Sequence, residues 1–337
     1  MTVAWGLLST ARINRAVIEA ARKSDRAEVV AVASRTASRA EEYAREQRIE
    51  RAHGSYEALL QDDAVEAVYV PLPNSLHVEW TLRALAAGKH VLCEKPFSRS
   101  PDDVEEVFHR AEESGLVVSE GFMWRHHPQT ARLLELARED VIGRLRLVHA
   151  SFSFDIVAEH GAGDTRLDPT LDGGALMDVG SYCVNAIRLL AGEPDRVQAQ
   201  QTLGPTGVDL SFVGTLALPG EVLGEFDAGF ASPRRGQLEV VGEEGVVFVA
   251  APWQPQEPVI ELRRAGDERE LIPVAPADSY LLELDNVSGA IQGETDLLLG
   301  RADAVGQARA LEALHRAAAT GRAVELEPVP STTGRVP

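Results

Sequence analysis

Cysteine is nearly absent. Only Cys93 and Cys183 occur in the 337 residues, and neither stands in a Cys-x-x-Cys pair. That argues against a zinc module or a thiol redox motif, and Cys93 reads instead as a small buried residue of a strand. Long apolar runs are missing as well: no stretch is long enough to span a bilayer. Met1-Thr2-Val3-Ala4-Trp5 runs straight into a strand pattern with no basic leader. A reducing, cytoplasmic location is therefore expected, with no membrane partner. Basic charge is outweighed: 33 Lys and Arg face 52 Asp and Glu, giving a net charge of −19. Such an excess of acid argues against nucleic acid and anionic membrane surfaces as partners. It leaves small ligands open, because they respond to local charge. Repeats and low-complexity segments are absent too, and only the tail after Pro328 looks loose.

The length exceeds one typical core and points to two domains, 1–121 and 122–330. Hydrophobic residues at 45% and charged residues at 25% suit a globular protein. In the first half, strand patterns at 3–8, 28–33, 65–70, 90–93 and 116–119 alternate with helical spacing at 12–23, 38–47, 56–60 and 101–113. One more helix runs between Ser75, a candidate cap, and Gly88, a favoured C-terminal stop. Strict alternation of strand and helix means an α/β fold: a parallel, doubly wound sheet with helices on both faces, the pattern that binds dinucleotides.

The glycine fingerprint G-x-G-x-x-G is absent from the first strand–helix turn, where its positions hold Ser9, Ala11 and Asn14. Ser9 and Ala11 are still small enough for backbone N–H groups to approach a pyrophosphate at the helix N-terminus. Ser9, Thr10, Ala11, Arg12 and Ile13 are thus candidate cofactor contacts, with a plain turn as the alternative. An acid is also missing where the second strand ends, at Ala33-Ser34-Arg35-Thr36. An acid there would take the ribose hydroxyls and select NAD. Ser34 and Arg35 suit a 2′-phosphate instead, and Arg39 is within reach of the same anion. NADP is expected and NAD is the alternative, unless Arg35 merely serves a surface turn.

The stretch His90-Val91-Leu92-Cys93-Glu94-Lys95-Pro96 reads as a buried strand ending on a charged pair and a proline. Open α/β sheets bind ligands outside the carboxyl ends of their strands, so Lys95 is a candidate for chemistry. Glu94 and Lys95 are candidate contacts of the cofactor. Pro71, Leu72 and Asn74 are expected to touch the cofactor, with His77 approaching the nicotinamide side. Trp124 and Arg125 follow the last strand of this half and are expected to line the substrate pocket, unless Trp124 is packing. His126 and His127 adjoin but point apart and lack a third ligand, so no metal is expected.

The second half opens with a strand at 144–155 and a polar loop through His160 and Arg166. A helix follows at 175–190, with Gly180 inside it. Asp178, Tyr182 and Asn185 recur at i, i+4 and i+7 and share one face. Taken singly, Tyr182 reads equally as a half-buried aromatic, and Asp178 as a first-turn acid favoured by the helix dipole. Strand patterns at 197–202, 208–218, 222–230, 237–241, 246–250 and 259–263, with a hairpin turn at 242–245, make an antiparallel-rich sheet. Helices at 279–292 and 302–320 close the chain, and their acids and arginines read as solvated faces.

Four stretches together resemble the Gfo/Idh/MocA oxidoreductases. They are Trp5-Gly6-Leu7-Leu8-Ser9-Thr10-Ala11-Arg12-Ile13, Val70-Pro71-Leu72-Pro73-Asn74-Ser75-Leu76-His77, Gly88-Lys89-His90-Val91-Leu92-Cys93-Glu94-Lys95-Pro96 and Glu120-Gly121-Phe122-Met123-Trp124-Arg125-His126-His127-Pro128. The glycine-poor first turn departs from the wider family. It resembles the branch that holds NADP-dependent D-xylose 1-dehydrogenase and dimeric trans-dihydrodiol dehydrogenase. The resemblance implies an N-terminal Rossmann domain and a C-terminal α+β domain with an open, largely antiparallel sheet. It implies a homodimer or higher homo-oligomer through that sheet, and a Lys95-Pro96 bond that can be cis. The family pattern Asp-x-x-x-His becomes Asp178-Val179-Gly180-Ser181-Tyr182 here, and this branch is similar in placing tyrosine there. Tyr182 is then expected to accept the substrate proton, with Lys95 lowering its pKa and orienting the substrate oxygen. Asp178 is expected to orient substrate or Lys95. The implied activity is hydride transfer from a sugar or cyclic polyol hydroxyl to NADP, above all an aldose 1-dehydrogenase of D-xylose type giving the lactone. A trans-dihydrodiol dehydrogenase is the first alternative and a non-catalytic NADP sensor the second.

Overall fold

Short Val- and Ala-rich runs, apolar on both sides, can be buried only in a sheet covered on both faces. Six of them form one in the computed structural model, which describes residues 2–138, 141–264, 266 and 268–327. They are β1 (Val3–Leu8), β2 (Ala27–Ala33), β3 (Arg51–His53), β4 (Ala67–Val70), β5 (His90–Glu94) and β6 (Val118–Gly121). All neighbours pair in parallel, in the order β3-β2-β1-β4-β5-β6. The connecting helices are α1 (Asn14–Ala21), α2 (Ala37–Gln47), α3 (Tyr56–Leu60), α4 (His77–Ala86) and α5 (Pro101–Ser114). The order reverses between β1 and β4, which places the ligand crevice at their carboxyl ends. Ser100 caps α5 by accepting from Asp103 N. Ser75, the expected cap of α4, does not cap it: residues Asn74–Leu76 form a separate 3-10 turn, and α4 starts at His77 without a side-chain cap.

Helix α6 (Pro128–Arg138), absent from the sequence expectation, leads to β7 (Leu145–Asp155) and α7 (Ile156–His160). The expected helix at 175–190 is in two parts: a wide π turn, Leu176–Gly180, runs into α8 (Ser181–Ala191). There follow β8 (Arg196–Leu203), β9 (Asp209–Leu218), β10 (Val222–Gly229), β11 (Ala231–Gly242), β12 (Gly245–Val249), β13 (Val259–Arg264) and β14 (Arg269–Pro273). Helices α9 (Ser279–Ile291) and α10 (Arg301–Thr320) and strand β15 (Val324–Glu325) complete the described chain. The second sheet has the order β14-β13-β12-β11-β7-β10-β9-β8-β15 and is antiparallel apart from the β7–β10 pair. Period-two alternation turns Val148, Ala150, Phe152 and Phe154 of β7 into its core.

The last two helices return to the first sheet. Leu284 and Val287 of α9 join Trp5, Val17 and Ile18 in the core on one face. Ala304 and Ala308 of α10 join Val104, Val107 and Phe108 on the other. The indole of Trp5 donates to Ser288 Oγ at 3.1 Å, and Lys23 pairs with Asp278 at 2.7 Å.

Candidate active site

Strand β5 delivers Glu94 and Lys95 at its carboxyl end, and the Lys95–Pro96 peptide is cis. The ammonium of Lys95 crosses to the π turn of the second half. It donates to Asp178 Oδ1 at 2.7 Å and to the Asp178 carbonyl at 3.0 Å, and it lies 4.8 Å from the centre of the Tyr182 ring. The other carboxylate oxygen, Oδ2, accepts from Arg166 Nη1 at 3.2 Å. Arg166 is itself gripped by Asp164, whose two oxygens accept from Nε at 2.9 Å and Nη2 at 3.0 Å. Desolvation pushes the Asp178 carboxyl up, but Lys95 and Arg166 outweigh it and hold the group below the usual carboxylate range. Neighbouring Glu94 behaves in the opposite way. Desolvation raises it even though Lys95 and the Tyr69 hydroxyl, which donates to Oε1, pull it down.

Tyr182 is 8% exposed and stands in an aromatic box. The rings of Phe122, Phe152 and Trp253 lie 5.6, 5.5 and 5.7 Å from it. Its hydroxyl points toward the Met123 sulfur at 4.0 Å. Burial, then Tyr280, Glu94, Asp178 and Glu283, push the phenol well above its ordinary value. The expectation that Lys95 lowers this pKa is therefore corrected. The ammonium faces the ring rather than the oxygen, and its charge is already matched by Asp178.

The glycine-free first turn is held by side chains. Ser9 takes φ 128°, its Oγ accepts from Ala11 N at 3.2 Å, and its carbonyl accepts from Asn14 Nδ2 at 2.8 Å. Asn14 is fully buried, so it ties the turn rather than merely fitting it. Arg39, in the first turn of α2, donates through Nε to Thr10 Oγ1 at 2.9 Å, which ties that helix start to this turn. Arg35 is exposed beside it, while Ser34 is buried and its amide donates to the His53 carbonyl at 3.0 Å. With two arginines and no acid at the end of β2, this donor set fits a dinucleotide that carries a phosphate on its ribose. The segment 156–174 reaches over from the second half. Arg12 meets His160 Nδ1 at 2.6 Å, Asn74 Nδ2 donates to the Asp172 carbonyl at 2.8 Å, and Arg99 pairs with Asp172 at 2.8 Å.

Three expected residues are placed elsewhere. His77 is fully buried, with Nδ1 2.9 Å from the Pro96 carbonyl and Nε2 2.8 Å from the Leu72 carbonyl, and burial lowers its pKa to about 4. It pins the loop of Pro71 and Leu72 to Pro96, each ring nitrogen lying within hydrogen-bond distance of one of those carbonyls. Trp124 is 1% exposed and packs edge-on against Trp253 at 5.4 Å, so its packing alternative holds. Arg125 is absorbed by Asp303 at 3.1 Å and Asn185 at 3.3 Å, with only 9% of its side chain exposed. A short 3-10 turn, Met123–His126, directs both inward. Arg166 and Asp164 were not singled out by sequence, because no spacing links a loop arginine to a helix twelve residues on. The Asp-x-Arg of a polar loop was the only signal.

Two family models match the chain. One, described as an oxidoreductase family with an NAD-binding Rossmann fold (GFO/IDH/MocA), covers residues 4–122. The other, described as a GFO/IDH/MocA C-terminal domain, covers 130–248. A D-xylose 1-dehydrogenase (NADP(+)) of Haloferax volcanii is 40% identical over 329 residues, 96% of this chain and 99% of that protein. A trans-1,2-dihydrobenzene-1,2-diol dehydrogenase of Sus scrofa is 34% identical over 286 residues, 83% of each. Among solved structures, KijD10, a 3-ketoreductase from Actinomadura kijaniata in complex with NADP and TDP-benzene, superposes with a TM-score of 0.89. It has 31% identity and covers 94% of this chain and 98% of that one.

Proposed function

The chain belongs to the Gfo/Idh/MocA oxidoreductase family, and from that premise we propose that it is an NADP-dependent aldose 1-dehydrogenase of D-xylose type. The observation that carries the reading is the Lys95 ammonium held between the Asp178 carboxylate and the face of Tyr182. Residues 9–13, Arg35 and Arg39 would hold the coenzyme, and NADP, when bound, supplies the nicotinamide C4 that accepts the hydride. The sugar's C1–H bond is broken with its electron pair, the C1 hydroxyl loses its proton to the phenolate form of Tyr182, and the lactone carbonyl forms. Lys95 orients the C1 oxygen and stabilises the charge on it as the proton leaves. Asp178 holds Lys95 in place.

Lys95→Ala is expected to abolish reduction of NADP by D-xylose while NADPH binding, followed by fluorescence, stays near normal. Turnover retained in this variant would remove Lys95 from the chemistry. Arg35→Ala is expected to erode the preference for NADP over NAD, measured as the ratio of kcat/KM; an unchanged ratio would move the phosphate site elsewhere.

Oxidation of a trans-dihydrodiol is the second reading, favoured by the aromatic box around Tyr182 and by the 34% relative. A screen of aldoses, polyols and dihydrodiols separates the two by kcat/KM. The reading includes a homodimer through the outer face of the second sheet. Val213 and Leu223 stand 53% and 59% exposed there, and Leu223 pairs with Leu147 across the parallel strands. Leu223→Glu is expected to convert a dimer to a monomer in light scattering.

A further inference from the structure

Asp178 has two oxygens and two cations, and of those cations Lys95 is the one over the Tyr182 ring. Lys95 takes Oδ1 and Arg166 takes Oδ2. Arg166 has little freedom to do anything else. Asp164 holds its Nε and Nη2 as a fork, its guanidinium lies 5.7 Å from the centre of the Phe154 ring, and its carbonyl accepts from Gly174 N at 2.9 Å. Its backbone is fixed as well: a Cβ at Gly173 would come within 2.4 Å of the Arg166 carbonyl oxygen. The fork thus presents one N–H to Asp178 from a rigid loop.

We infer that Arg166 is a positioning residue: by occupying Asp178 Oδ2 it confines the carboxylate to the orientation in which Oδ1 takes the Lys95 ammonium. The inference rests on the redox reading of Lys95 given above. Only 15% of the Asp178 side chain is exposed, so an Oδ2 stripped of its donor would be a poorly solvated anionic oxygen. Such an oxygen turns toward another donor or takes up a proton, and either change loosens Lys95. The charged and titratable groups facing this carboxylate are Lys95 and Glu94 from the end of β5, Arg166 and Asp164 from the loop, and Tyr182 from α8. Tyr280 and Glu283 of α9 face Tyr182 from behind. Of these, Lys95 and Arg166 are the cations, and removing Arg166 leaves Lys95 as the one cation beside Asp178.

The test compares Arg166→Met, Arg166→Lys and Asp164→Asn with wild type. The readouts are kcat and KM for D-xylose with NADP across pH, NADPH binding, and 13C NMR of carboxyl-labelled aspartate with Asp178 assigned through Asp178→Asn. In wild type the Asp178 resonance is expected to keep its ionised shift to the lowest pH at which the protein stays folded. In Arg166→Met it should titrate above that pH. The acid limb of the kcat profile should move up with it, and kcat should fall about a hundredfold, with NADPH affinity unchanged. Arg166→Lys should recover part of the loss. Asp164→Asn keeps the guanidinium but loosens its fork, should shift in the same direction by less, and serves if Arg166→Met does not fold. An Asp178 titration and acid limb identical to wild type in a folded variant would overturn the inference. Lys95→Ala, run in parallel, separates the two claims. If it still oxidises D-xylose, the functional reading falls, while the NMR comparison still decides on Arg166.

Discussion

A phenol enclosed by Phe122, Phe152 and Trp253 gives up its proton reluctantly, and the acids around Tyr182 add to that reluctance. With its pKa raised, Tyr182 keeps its proton through neutral pH, and in the proposed reaction it would donate that proton in the direction of reduction. Oxidation needs the phenolate, whose share grows about tenfold per pH unit until the group titrates. Sugar oxidation should therefore accelerate steadily into the alkaline range while reduction stays level across neutrality. A flat oxidation profile would take Tyr182 out of the proton path. Tyr182→Phe should lower kcat by at least about a hundredfold in both directions.

Asp62 sets a second prediction at this scale. Arg51 above all, against the cost of burial, and then Ala64 N and His53 lower its carboxyl from 3.8 to about 2. Its pKa is lower folded than unfolded, so its contribution to stability is complete above about pH 4 and is lost as pH falls toward 2. Asp62→Asn should cost about 1–3 kcal/mol at neutral pH, and thermal melts should show that gap closing on acidification. Among the candidate site residues, the end of a strand marks Lys95 and helical spacing puts Asp178 and Tyr182 on one face, but their roles come only from the family resemblance. Nothing marks Arg166, since a loop has no period. Trp124 and Arg125 misled because the residues after a strand usually face the ligand, whereas here a tight turn carries them into the core.

The π turn before α8 is the element on which the site depends. It widens the helix where Asp178 needs both its carboxylate and its carbonyl, and that carbonyl accepts from Lys95 Nζ at 3.0 Å and from Ser181 Oγ at 2.8 Å. Gly180 closes the turn. A Cβ there would lie 3.1 Å from Leu176 Cδ1 and 3.3 Å from both the Ala175 carbonyl and Ala228 Cβ. Gly180→Ala should therefore cost about 1–3 kcal/mol by overpacking, read by denaturant melts, and should lower kcat by shifting Asp178 off Lys95. A single glycine in a helical pattern signals such a turn only weakly, which is why 175–190 reads as one helix. Strands β3 and β15 escape because three and two residues carry too little alternation to show, and β14 because Arg269–Pro273 is exposed along nearly its whole length and presents no apolar face. Their places are set by neighbours, as when Arg51 to His53 pair with Ala31 to Ala33.

At the scale of the molecule, sequence order and spatial order part company. The nucleotide half reads as complete by 121, yet α9 covers one face of its sheet and α10 the other. The expectation that the acids and arginines of these helices are solvated faces is corrected: Arg316 is exposed, but Glu283 is 2% exposed and Asp303 is taken up by Arg125 and Asn185, and the inward stripes have no partner nearby in the chain to reveal them. Leu284 is 1% exposed among Trp5, Ile18 and Val287, and Leu284→Ala should cost about 2–5 kcal/mol. That loss should appear in amide exchange of β1 and β4, far away in sequence, as much as in α9 itself.

This closure also bears on biosynthesis. A ribosome paused after β14 would display a coenzyme-binding sheet still bare on patches of both sides, and chaperones or proteases would meet those patches first. Protection of β1 in a nascent chain should arrive late, only once α10 has cleared the exit tunnel. The half that is made first is therefore the half that waits.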